Sequence, residues 1–152
     1  MSVFSHIVCC INLSENPDDI AQYVNDVVKQ NNSKLIIVHV STNREEIVRR
    51  SSSILEDLIK ENQKQNEAVF VEYVKKHFES EPDIVLTEGN IEIELLHVID
   101  KYCADLVVIG SMSTKGIFGS WFNRAPESII GKTRIPVLVI PNDLSLECTP
   151  DF

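Results

Sequence analysis

Gly110, Ser113, Asn123 and Arg124 fall in one stretch, DLVVIGSMSTKGIFGSWFNRAPESIIGKTRIPVLVIP, running from Asp105 to Pro141. An apolar run ending in glycine, then a polar loop and a short helix, forms a corner where backbone N–H groups can meet a phosphate. Glycine suits such a corner where the backbone must take positive φ or approach an anion closely. Ser113 offers a hydroxyl, and Asn123 tolerates the left-handed region better than most residues. Arg124 adds a cation able to hold phosphate bidentately, and Ala125 opens the helix. The same residues have plainer readings. Gly110 ends a strand, Arg124 is a solvated side chain, and Gly116 and Gly119 make a flexible loop. Phe118, Trp121 and Phe122 cover a ligand, seal a dimer surface or pack the loop onto the core.

Other chemistry is thinly represented. His6, His77 and His97 show no ligand spacing, and His39 within LIIVHV reads as a satisfied strand histidine. Glu92 and Glu94 stand two apart on a helix, hence on different faces, which does not suit paired carboxylates. Cys9 and Cys10 are adjacent on a strand and point to opposite faces. With Cys103 and Cys148 they form no CxxC pair, so neither a zinc site nor a thioredoxin-like motif is expected. No Ser-His-Asp order, HExxH, GxSxG or Walker A pattern occurs. Neither a metal site nor an enzyme activity is expected.

The elements that must position these residues follow from periodicity. Val3 to Ile11 is a β-branched, apolar run of the kind found centrally in a parallel sheet. Asn16 as cap, Pro17 as first helical residue and Asp18 and Asp19 at the positive end start a helix. Ile20, Val24, Val27 and Val28 carry it to about Gln30. Strand two is Leu35 to Val40. From Ser41 to about Ser80, Ile54, Leu55, Leu58, Ile59, Phe70, Tyr73, Val74 and His77 keep helical spacing. One long helix with an irregular lead-in at Arg44 to Ser53 is expected. Strand three is Asp83 to Thr87. Gly89-Asn90 opens a helix from Ile91 to Tyr102. Strand four is Leu106 to Gly110, a helix spans Ala125 to Lys132, and strand five is Pro136 to Ile140.

Strands alternating with helices imply βαβ units with right-handed crossovers. The fold class is α/β, doubly wound, flavodoxin-like or Rossmann-like, with five mostly parallel strands and helices on both faces. The 152 residues suit one domain over 1–141 and a polar tail over 142–152. A formal net charge of −9 argues against a nucleic-acid partner. No run of about 18 apolar residues suggests a membrane span. Without an export signal in MSVFSHIVCCINL, free thiols and a cytoplasmic location are expected.

Several segments carry a resemblance. VVIGSMSTKG, about ten further residues, a short helix and IPVLVIP resemble the universal stress protein family. HIVCCINLSE is similar to its first strand and turn, SKLIIVHV to its second strand, and LTEGNIEIELLHVIDKYCADLVVIGS to its third-strand, helix and fourth-strand unit. The resemblance covers about residues 3 to 141. Nucleotide-binding members carry Gly-x2-Gly-x9-Gly-Ser/Thr after strand four. Gly110 matches the first glycine; Ser113, Asn123 and Arg124 stand at the second glycine, the third glycine and the Ser/Thr. Asn12 stands where the family has an aspartate, and Val40 where the strand-two backbone meets adenine. The resemblance implies ATP or another adenine nucleotide held by Asn12, Val40, Gly110, Ser113, Asn123, Arg124 and Ala125. Magnesium would enter only through the nucleotide. It also implies a homodimer paired through Val137 to Ile140. The alternative is a nucleotide-free dimeric adaptor acting through protein contacts.

Overall fold

A computed structural model of the chain describes residues 3–11, 17–41, 67–110 and 125–140, with backbone alone at 17–19 and 125–128. The elements are β1 (His6–Cys10), α1 (Pro17–Asn31), β2 (Lys34–Ser41), α2 (helical over 67–77), β3 (Asp83–Glu88), α3 (Ile91–Lys101), β4 (Leu106–Gly110), α4 (Ala125–Lys132) and β5 (Val137–Ile140). The starts of α1 and α4 and the whole of β4 fall where the sequence puts them. The part of the expected long helix before residue 67 lies outside the described residues, as does the tail.

Two boundaries move for identifiable reasons. β1 begins at His6, not Val3, because the Asp105 carboxylate accepts the backbone N–H groups of Ser5 and His6 at 2.9 and 3.1 Å. Val3 is left exposed. Tyr102 closes α3 as its C-cap. Cys103 then takes φ 52°, and Cys103 and Ala104 donate back to the carbonyls of Asp100 and Ile99. This is a Schellman end, with cysteine where glycine is usual. At the other end the Asn90 side chain accepts from the N–H of Ile93, so the Gly89-Asn90 signal works as a cap.

The five strands form one sheet in the order β3-β2-β1-β4-β5. Every pairing is parallel, where the sequence reading expected mostly parallel strands. Among the described residues the order is the Rossmann order 3-2-1-4-5 without a sixth strand, and differs from the flavodoxin order 2-1-3-4-5. Alternate residues of the central strands feed two cores. Ile7, Cys9, Leu35, Ile37, Leu106 and Val108 pack beneath α1 and α2. Val8, Cys10, Ile36, Val38, Val107 and Ile109 pack beneath α3 and α4. Helices therefore cover both faces, and the winding direction reverses between β1 and β4.

Candidate functional site

In such a sheet a ligand crevice opens at the carboxyl ends of the strands beside the switch point, here between β1 and β4. The described residues that border it are Ile11, His39, Val40, Gly110 and the start of α4 at Ala125. Asn12, Ser113, Asn123 and Arg124 lie outside the described residues. Two cavities lined by described residues, of about 400 and 600 Å³, lie near the amino ends of β3 and of β4 and β5. The first is lined by Phe78, Pro82 and Ile84, the second by Ile99, Cys103, Lys132 and Ile135. Neither touches the switch point.

The backbone of Val40 faces β1. In a parallel ladder a residue turns its N–H and C=O to the same side, and its neighbours turn theirs to the other. The carbonyl of Val38 accepts from the N–H of Ile11 on the β1 side at 3.2 Å. The carbonyl of Ser41 accepts from Gly89 on the β3 side at 3.0 Å. Val40 therefore turns both its backbone groups toward β1. The regular next rung would join the Val40 N–H to the Ile11 carbonyl, and among the described residues that rung is not made. The Val40 side chain meanwhile anchors the position, buried in the core beneath α3.

The Ile11 carbonyl faces the imidazole of His39, with Nδ1 3.4 Å away. A carbonyl only accepts, so the contact requires the Nδ1–H tautomer. The ring also lies against Phe70 of α2, with centroids 4.9 Å apart. Burial pushes the His39 pKa below the ordinary histidine value. The bond to Ile11 and the charge of Glu67 act in the opposite direction. The sequence reading of His39 as a satisfied strand histidine holds.

Gly110 has a packing explanation. A Cβ built there would meet Cδ1 of Ile20 at 2.5 Å, so glycine lets α1 lie close on β4. Its small size is used by the helix on the α1 face. A second polar cluster at the carboxyl edge escaped the sequence reading. The Thr87 hydroxyl donates to Glu94 at 2.8 Å, the Ser41 hydroxyl to the Thr87 carbonyl at 3.2 Å, and Gly89 takes φ 139° between them. Glu92 instead pairs with Lys132. The two glutamates thus serve different faces, as their spacing requires.

Cys9 and Cys10 are both buried, on opposite sides of the sheet. Burial raises the Cys9 thiol well above its usual range and pushes Cys10 up to about 12. Both stay protonated, which is the unreactive form. Among the described residues no helix is long and apolar enough to cross a membrane.

Comparison with known proteins agrees with this architecture. No curated protein matches the sequence significantly. Among solved structures, the hypothetical protein MJ0577 superposes with a TM-score of 0.72 at 19% identity, covering 93% of this chain and 98% of that one. Universal stress protein UspA from Lactobacillus plantarum gives 0.64 at 12% identity, over 90% and 97%. A universal stress protein in complex with cAMP gives 0.54 at 16% identity, over 93% and 100%. At these identities the likeness is one of fold. The sequence itself matches the model of the universal stress protein family over residues 4–141, and the chain belongs to that family.

Proposed function

We propose that the crevice at the switch point takes an adenine nucleotide and that the protein serves a stress response as a nucleotide-responsive signalling protein. The observation that carries this reading is the backbone of Val40. Its N–H and C=O lie side by side on the β1 side of β2, and the N–H does not make the regular rung to the Ile11 carbonyl. An adenine edge presents the complementary pair. The cAMP-bound relative supports the same ligand class. Asn12 would meet the ribose or base. Ser113, Asn123, Arg124 and the N-terminus of α4 at Ala125 would meet phosphate, and Gly110 would keep the corner open beside them. A bound nucleotide brings charge and, with it, magnesium; the chain's own part is to bind and orient it.

Calorimetric titration of nucleotide-stripped protein with ATP, ADP, AMP and cAMP, with and without magnesium, tests this. Saturable binding that Arg124→Ala weakens more for ATP than for AMP is expected. Absence of heat for all four at high protein concentration would overturn the reading.

A second reading is a nucleotide-free dimeric adaptor in the cytoplasm. Two observations favour it. The glycine at 110 is accounted for by Ile20, and among the described residues β5 is an edge strand on which Leu138 is exposed. Pairing of β5 between two copies would cover that edge. The homodimer is compatible with either reading.

A further inference from the structure

Among the described residues the β1–β2 ladder ends beside a side-chain contact. Up to Ile11 the rungs follow one another regularly: Lys34 donates to the Ser5 carbonyl, and Ile11 to the Val38 carbonyl. The following bond would run from the Val40 N–H to the Ile11 carbonyl; it is not made, and the imidazole of His39 lies against that carbonyl, Nδ1 3.4 Å away. A side-chain donor stands where the backbone donor of the regular ladder would be, and the Val40 N–H faces β1 beside it.

We propose that His39 is a positioning residue for the crevice: by holding the Ile11 carbonyl it stops the ladder one rung short and reserves the Val40 N–H for a ligand. This deepens the adenine-nucleotide reading and rests on it for the identity of the ligand. Three elements fix the ring. Its own backbone is paired in β2, opposite Leu86 of β3. Fully buried Phe70 of α2 supports one face. The carbonyl of Ile11 receives Nδ1. Among the described residues Glu67 is the ionised group that acts on it, and it belongs to α2. Exchange to an aliphatic residue would free the carbonyl for the backbone donor next to it. A buried carbonyl without a partner is costly, so the vacant rung would fill.

Amide hydrogen exchange of Val40 in the nucleotide-free protein reads this directly. In the unmodified chain Val40 is expected to exchange much faster than Val38, the preceding residue facing β1. His39→Val should slow Val40 by roughly tenfold or more as the rung forms. His39→Asn, whose amide can reach the same carbonyl, should leave Val40 fast. Val40 as protected as Val38 in the unmodified chain overturns the proposal even if the Val variant does not fold. So does an unchanged Val40 in folded His39→Val. For the ligand, ATP affinity should fall by roughly tenfold in His39→Val, the equivalent of one hydrogen bond, and stay near its original value in His39→Asn. If the unmodified chain binds no adenine nucleotide, the ligand reading fails, and Val40 exchange still decides the part played by His39.

Discussion

Replacing Gly110 by Ala would bring a methyl group to within 2.5 Å of Ile20 Cδ1, a distance that forces α1 or the side chain to move. Overpacking of this kind costs about 1–3 kcal/mol, so Gly110→Ala should lower the thermal midpoint. Ile20→Val in the same chain should recover part of the loss, because it removes the clashing methyl. Recovery absent from the double variant would show that the glycine is needed for something other than room. His39 is expected to make stability fall in mild acid. Its folded pKa is lowered, so between that value and about 6.5 the unfolded chain binds more protons than the folded one. Its contribution is fully present above about pH 6.5 and is lost as pH falls toward the folded pKa. Urea midpoints should drop between about pH 7.5 and 5.5 in the unmodified chain and drop less in His39→Asn. Equal slopes for both would remove His39 as the cause.

At the scale of the elements, α3 is held at its two ends by residues of opposite suitability. Asn90 is a strong cap, and Asn90→Ala should cost about 1 kcal/mol. Cys103 stands in the left-handed region that disfavours a side chain, so Cys103→Gly should stabilise by about 1 kcal/mol. Chemical denaturation of the two variants checks both signs; a destabilised Cys103→Gly would mean that the exposed thiol makes a contact worth more than the backbone relief. The outlines of these elements were legible because cap, periodicity and stop signals agree around α3, β4 and α4. Less legible was the start of β1, where Asp105 ties down Ser5 and His6 across 100 and 99 residues of chain. No local pattern in MSVF carries that information.

The whole molecule presents two edges, β3 and β5, and they are protected unequally. β3 begins and ends with acidic residues, and Lys34 pairs with Asp83 at 3.2 Å beside its start. β5 is the uncharged run VLVI, with Leu138 exposed on the α1 face, where its neighbour Val108 is fully covered. Unprotected apolar edges attract a second strand, and a twofold partner is the economical one. Val139→Lys should convert the proposed dimer to monomer in light scattering. An unchanged mass would exclude β5 as the contact.

The order of strands and helices, the β-branched runs of the inner strands, the Asn90 cap of α3 and the acidic charge are properties of the chain read locally, and the sequence determined them by itself. It also determined membership of a family, because segments in the right order are a one-dimensional property. Which strand lies beside which is not. The reversal between β1 and β4, the contact that makes Gly110 small, and the reach of His39 to Ile11 join residues 28 to about 100 positions apart. Those pairings depend on parallel crossovers bringing strand ends together, and only the tertiary structure decided them. That is why Val40 could be matched to a position in the sequence, whereas the ring that leaves its N–H open emerged only once β1 and β2 were laid side by side.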